Sequence, residues 1–186
     1  MGIEALIGAG ASLLLHRRAL LERVRAALAE VYASVAAGER ADATYVSSLG
    51  ELPDDRAGIE EKLAAGLFRV HDDELRRGCT LVGPHRDEVL FTIEGRPARE
   101  FGSQGQQRSV VLAWKMAEVQ VTHDILGSYP LLLLDDVMSE LDAARREAML
   151  AHVAAGIQTV ITTTNLGYFS AETLERAKVV HVGGAV

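Results

Sequence analysis

The chain has 186 residues, 48% hydrophobic and 24% charged, enough to bury a sizeable core within one domain or one domain plus an appendage. Its net charge of −7 argues against a broadly basic surface, so any DNA contact must be local or shared between chains. Cys79 is the only cysteine, which excludes an internal disulfide and suits a reducing cytoplasm, and no apolar stretch reaches the roughly 20 residues that span a bilayer.

Along the chain, an Ala-, Leu-, Arg- and Glu-rich stretch without proline predicts a helix from Ile3 to about Ala37. Leu14, Leu21, Val24, Leu28, Val31 and Val35 recur at three- to four-residue steps and make one apolar stripe. Leu13 to Leu15 are followed by His16-Arg17-Arg18, the wrong order for a secretory signal. A short strand is expected over Thr44 to Leu49, before the turn-prone Gly50 to Asp55. A second helix is expected from Gly58 to about Arg76, with Ile59, Leu63, Leu67 and Val70 on one face and Gly78 after it. Thr80 to Gly83 and Glu88 to Ile93 read as strands, the second ending at the turn-prone Glu94-Gly95.

A long helix is predicted from Gln106 to about Leu126, then an apolar strand, Leu131 to Leu134, as expected of a strand buried on both faces. Ala143 to Ala155 reads as a helix, Thr159 to Thr163 as a strand, Ala171 to Arg176 as a short helix and Lys178 to Val182 as a last strand. The alternation from Gln106 onward predicts a parallel or mixed sheet covered by helices. The plainest boundary lies near Gly78.

Three motifs carry chemistry. In Leu131-Leu132-Leu133-Leu134-Asp135-Asp136, four apolar residues put a strand in the core and two carboxylates emerge at its C-terminal edge. In open α/β sheets that edge is where ligands bind. In nucleotide-binding ATPases an aspartate there holds Mg2+ on the phosphates, directly or through water, and the next acidic residue commonly orients the attacking water. The plainer alternative is an exposed turn. Ser139-Glu140-Leu141-Asp142 follows and leads into a helix, where Ser139 with Asp142 also fits a capping pattern. Upstream, Phe101-Gly102-Ser103-Gln104-Gly105-Gln106 puts a small, glycine-containing turn at the start of a long helix. Free backbone N–H groups and the positive end of the helix dipole there suit the γ-phosphate of ATP. The alternative is a capping box between Ser103 and Gln106.

These segments resemble the ABC-type ATPases, the superfamily that includes the SMC proteins and RecF. Ser103, Gly105 and Gln106 match the serine, second glycine and glutamine of the ABC signature, and Gln104 replaces its first glycine. Ser139 to Asp142 resembles the D-loop. Gly83-Pro84-His85-Arg86-Asp87, then a hairpin and the glutamine-rich signature, is similar to the RecF family in particular. So is Asp135-Asp136, where most ABC ATPases carry aspartate then glutamate. Tyr45 to Leu49 also fits the RecF helical lobe.

The resemblance implies an α/β chain: a helical arm, residues 1–78, followed over 79–186 by the C-terminal half of an ABC-type head with a mostly parallel sheet. It implies that Ser103, Gln104, Gly105 and Gln106 touch ATP held by a partner, with Ser139 and Asp142 in the D-loop. It makes Asp135 the Mg2+ ligand and Asp136 the residue that positions water. The whole protein would then act in DNA repair, replication, recombination and the SOS response. It would bind ATP and DNA at gaps or single-strand to double-strand junctions, form an ATP-dependent homodimer, and work with RecR and RecO to help load RecA. It would do so in the cytoplasm, at the nucleoid. Arg86 is a weak DNA-side candidate, and Arg17, Arg18, Arg23 and Arg25 form a local basic patch that is most simply a solvated face.

Two departures matter. The family's phosphate loop, G-x-x-x-x-G-K-[ST], has no counterpart here. Gly8-Ala9-Gly10 leads to Ala11-Ser12, and none of the three lysines (Lys62, Lys115, Lys178) follows a glycine. Without that loop, Asp135 and Asp136 repel a triphosphate unless Mg2+ bridges them. The chain alone is therefore expected not to bind ATP tightly or hydrolyse it, and to be a fragment of a longer protein. The family's switch residue, often histidine, follows the strand after the D-loop helix; Thr164 is the nearest candidate and cannot titrate. The six histidines are scattered, without the close pairs of a zinc site. The rival readings are a non-catalytic head remnant acting as an interaction module, and another SMC-like head. The first helix is too short for the latter's coiled coil.

Overall fold

The opening stretch forms α1, Ile3–Val35, and its predicted stripe is the buried one: Leu14, Leu21, Val24, Leu28, Val31 and Val35 all lie in the core. A computed structural model describes residues 2–36, 38–153 and 156–183, so the predicted helix ends at Ala37 and Ala155 lie outside the described residues. The chain divides into two compact units, residues 1–121 and 122–186.

In the first unit α1 packs on α2, Arg56–Arg77, and on β1, Ala41–Val46. α2 starts two residues before the predicted Gly58 because Asp55 caps it, accepting from the Gly58 N–H at 2.8 Å. It stops where expected, at Gly78, whose left-handed backbone (φ 64°) closes the helix. Ala11, Leu14, Leu49, Ile59, Leu63, Leu67 and Val82 form a core cluster. Gly10 lets the two helices approach: a Cβ there would come within 2.6 Å of the Leu63 side chain.

β1 pairs antiparallel with β2, Glu88–Ile93, from Ala41↔Ile93 to Val46↔Glu88, and β3, Arg96–Pro97, completes the sheet in the order β1-β2-β3. Glu94 (φ 50°) and Gly95 (φ 73°) make the hairpin turn, both in the left-handed region that a two-residue turn requires. β1 begins three residues before the expected Thr44, because register with β2 extends its pairing to Ala41. Thr80 to Gly83 is not a strand. Gly83 (φ 123°) turns the chain there into a single 3₁₀ turn, Pro84–Arg86, and the Leu81 N–H is taken by the Glu74 carboxylate at 2.7 Å. A four-residue helix that the pattern missed, α3, Ala98–Phe101, precedes α4, Gln104–Leu126. α4 starts two residues before the predicted Gln106.

In the second unit β4, Leu132–Asp135, pairs parallel with β5, Thr159–Thr162, with Leu133↔Val160 and Asp135↔Thr162 in register. Between them runs α5, Ala143–Val153, and beyond β5 comes α6, Ala171–Arg176. The expected burial of β4 on both faces does not occur. Leu132 and Leu134 are buried, but Leu133 is 66% and Leu131 54% exposed, because this sheet has two strands among the described residues. Lys178 to Val182 is likewise no strand; it has no ladder partner among the described residues and Val182 is 93% exposed. The sheets are thus mixed: the parallel pair falls on the carboxylate strand, and the hairpin strands form an antiparallel sheet of their own. The boundary of compactness at Val121/Thr122 lies at a different place from the change of sequence pattern near Gly78.

Candidate functional site

The signature segment lies in the first unit and is built as a helix start. Gly102 closes α3 with its N–H on the Ala98 carbonyl at 3.0 Å, and a Cβ on it would meet that carbonyl oxygen at 2.6 Å. Backbone does not give way as a side chain does, so only glycine fits. Ser103 then caps α4. Its hydroxyl accepts from the Gln106 N–H at 3.2 Å, and the Gln106 side-chain oxygen accepts from the Ser103 N–H at 2.9 Å. This is the reciprocal capping box that the sequence offered as the plainer reading. It satisfies the third-position donor at the positive end of the α4 dipole.

The Gln106 side chain has a second tie that sequence reasoning missed. Its amide nitrogen donates to Glu39 at 2.9 Å, and the other Glu39 oxygen accepts from the hydroxyl of fully buried Tyr32 at 2.9 Å. Glu39, in the connection between α1 and β1, therefore holds the glutamine across 67 residues of sequence. No local pattern announces a partner that distant.

The Gly83–Asp87 motif is a structural node. Asp87 accepts from the Tyr45 hydroxyl at 2.5 Å, the Ser48 N–H at 2.6 Å and the Ser47 hydroxyl at 3.3 Å. Gly83 and Ser48 bond each other, N–H to hydroxyl at 3.0 Å and hydroxyl to carbonyl at 3.2 Å. Arg17 of α1 donates to the Pro84 carbonyl. Burial, then the bond to Asp87, pushes the Tyr45 phenol up to about 12. Arg86 is exposed, but its Nε donates to the Thr80 carbonyl at 2.9 Å, so part of its guanidinium shapes the loop. In the basic patch, Arg18 bonds Asp54 at 2.7 Å and Arg25 bonds Asp42 at 2.5 and 2.8 Å. The Arg25 hydrogen bond holds the Asp42 carboxyl below its ordinary range. With Arg17 on the Pro84 carbonyl, three of the four arginines are thus engaged on the protein itself.

The carboxylate segment lies in the second unit. Asp135 and Asp136 are exposed at the carboxyl edge of the β4–β5 pair. Asp136 sits in the left-handed region (φ 49°, ψ 22°), one of two non-glycine residues with positive φ among those described. Such a conformation in a non-glycine residue costs on the order of 1–3 kcal/mol and concentrates at functional sites. It turns the chain into a 3₁₀ turn, Val137–Glu140, anchored by the buried Met138 and by Ser139, whose hydroxyl donates to the Asp136 carbonyl at 2.9 Å. Ser139 therefore fastens the turn, and Asp142 caps α5. One Asp142 oxygen accepts from the Arg145 N–H at 2.9 Å and the other meets the Arg145 guanidinium at 2.8 Å. The Arg145 N–H, more than its guanidinium, holds the Asp142 carboxyl below its ordinary value. Thr164 is exposed in a bend two residues past β5.

Mg2+ takes hard oxygen ligands and is usually held by one or two carboxylates together with phosphates and water. Asp135 and Asp136 supply two such carboxylates at one strand end. No group of three or more His, Cys, Asp and Glu suited to a metal exists among the described residues. The residues fit an ion that completes its shell with phosphate and water, and not one caged by protein alone. No helix among the described residues is long and apolar enough to cross a membrane.

No protein-family model matches the chain. Among curated proteins, it is 38% identical over 180 residues to the DNA replication and repair protein RecF of Gloeobacter violaceus, covering 96% of this chain and 48% of that protein. It is 46% identical over 145 residues to RecF of Heliobacterium modesticaldum, covering 77% and 39%. Among solved structures, it superposes with a TM-score of 0.74 at 31% identity on the recombination mediator protein RecF-ATPrS of the RecFOR pathway, covering 88% of this chain and 44% of that one. The chain spans about half the length of the curated relatives it matches.

Proposed function

We propose that this chain, which belongs to the RecF family, supplies part of a composite ATP site in a DNA-repair protein, the phosphate loop of that site coming from another segment or subunit. The observation that carries this reading is the carboxyl edge of the parallel β4–β5 pair, where Asp135 and a backbone-strained Asp136 stand exposed. Asp135 would contribute to Mg2+ and Asp136 would orient water. Residues 103–106, at a capped helix start, would face the γ-phosphate of ATP bound by a partner head. Ser139 and Asp142 would shape the D-loop beside it, and Thr164 would sense the phosphate through its hydroxyl.

Residues 1–78 would form the helical lobe and 79–186 the C-terminal part of the head. The solved relatives are RecF-ATP and RecF-ATPrS of the RecFOR pathway. By that kinship the whole protein would bind ATP and DNA at gaps or single-strand to double-strand junctions. It would dimerise through ATP, and act with RecR and RecO. A second reading, an interaction module without catalysis, is favoured by the lack of any phosphate-loop pattern in these 186 residues.

Light scattering on this chain mixed with a full-length RecF relative tests the composite site. With ATP and Mg2+ the complex should gain the mass of the added chain, and the Ser103→Arg variant should not join it. A gain of equal size without nucleotide, or with Ser103→Arg, would contradict the reading.

A further inference from the structure

We propose that Thr162 is the positioning residue of the carboxylate pair: its one hydroxyl fixes both the Asp135 carboxylate and the backbone of Asp136. Thr162 stands opposite Asp135 in the parallel register. Its hydroxyl donates to Asp135 Oδ1 at 2.5 Å and accepts from the Asp136 N–H at 3.0 Å. The two bonds use the hydroxyl once as donor and once as acceptor. The inference deepens the composite-site reading and rests on it for its functional meaning.

The geometry explains why a threonine suits this position. The β4–β5 ladder ends at Asp135↔Thr162, so the Asp136 N–H has no next carbonyl to pair with. That N–H reaches the Thr162 hydroxyl instead, just before the chain turns left-handed at Asp136. The hydroxyl thereby replaces the missing ladder acceptor and stabilises a backbone conformation that is otherwise costly. β-Branching restricts the threonine side chain to few rotamers, which keeps the hydroxyl in place on an exposed sheet face. On the carboxylate, one oxygen is committed to Thr162 and the other accepts from no described residue. Asp135 is thereby oriented with one oxygen outward for a cation. The preceding register pair on the same face, Leu133 and Val160, is apolar, so Thr162 is the polar group β5 offers there.

Three forms of the full chain test this: wild type, Thr162→Ser, which keeps the hydroxyl, and Thr162→Val, which keeps the shape. Amide hydrogen exchange at Asp136 and the shifts of the 135–137 amides on titration with Mg2+ alone are followed by NMR. Thr162→Val should speed Asp136 exchange about tenfold, the loss of roughly one hydrogen bond, and should diminish the Mg2+-dependent shifts. Thr162→Ser should stay within about threefold of wild type. The amides of Val160 and Ile161 report whether the strand itself survives; Thr162→Val should leave them unchanged. Asp136 exchange in Thr162→Val equal to wild type overturns the proposal, and so does Thr162→Ser behaving like Thr162→Val. These readouts need no nucleotide. A failed mass gain with a RecF relative, alongside the expected exchange pattern, would therefore reject the composite site and leave the role of Thr162 standing.

Discussion

Residues 1–121 and residues 122–186 differ in how fully their motif side chains are engaged. In the first unit they are fasteners. Asp87 gathers Tyr45, Ser47 and Ser48, Glu39 joins Tyr32 to Gln106, and Ser103 and Gln106 cap each other. These bonds stand around a core in which α1 and α2 bury their stripes. In the second unit Asp135 and Asp136 lie open at a strand end, beside an apolar face whose Leu133 is 66% and Val160 51% exposed. A carboxylate spent on three donors of its own fold, as Asp87 is, is a poor candidate for chemistry. Groups left exposed on a strained backbone are better ones. The comparison separates the Gly83–Asp87 node, which is scaffold, from the Asp135–Asp136 strand end, which is candidate chemistry.

The largest break in that comparison should come from Leu63→Ala, which empties a site 2% exposed in the core of the first unit. A loss of about 2–5 kcal/mol is expected, read as a lower denaturant midpoint and faster amide exchange in α1 and α2. Equal acceleration in β4 and β5 would erase the contrast between the units. Asp87→Ala strips three donors of their acceptor and should cost about 2–3 kcal/mol; Asp87→Asn, which still accepts, should cost less. A cost below ~0.5 kcal/mol for Asp87→Ala would show that the node is decorative.

In the second unit the sharper test is steric. Asp136→Gly should be neutral to slightly stabilising, since glycine adopts positive φ freely, whereas Asp136→Val should cost about 1–3 kcal/mol. Equal stabilities would mean that the backbone there is not constrained.

The smallest effect is on pH. Asp142 has its carboxyl lowered in the folded chain, so its contribution is present above the ordinary carboxylate range and is lost as pH falls from about 4 through the folded value. Exchange at the start of α5 should therefore quicken on acidification, and Asp142→Asn should blunt that response. An unchanged response in Asp142→Asn would remove Asp142 as its cause.

Much of this was legible from local pattern. The α1 stripe, the stop at Gly78, the Glu94-Gly95 turn and the strand that ends in Asp135-Asp136 all follow from periodicity and turn chemistry. The failures have a common physical origin in non-local partners. Four apolar residues read as a strand buried on both faces, yet burial depends on how many strands lie alongside, and β4 has one described neighbour. Thr80 to Gly83 looked like a strand until the φ of Gly83 and the Glu74 carboxylate diverted it. Glu39 and Thr162, which hold Gln106 and Asp135, bear no motif, because what makes them matter is a neighbour 67 or 27 residues away. Of the two readings of the Ser103–Gln106 pair, the capping box is formed.

The central claim is that this chain would supply the carboxylate and signature parts of an ATP site but not its phosphate loop, a pattern these 186 residues lack. ATP hydrolysis by the 186-residue chain alone, with Mg2+, tests it most directly. The account predicts no turnover above background and no tight ATP binding. Turnover that Asp136→Asn abolishes would contradict it.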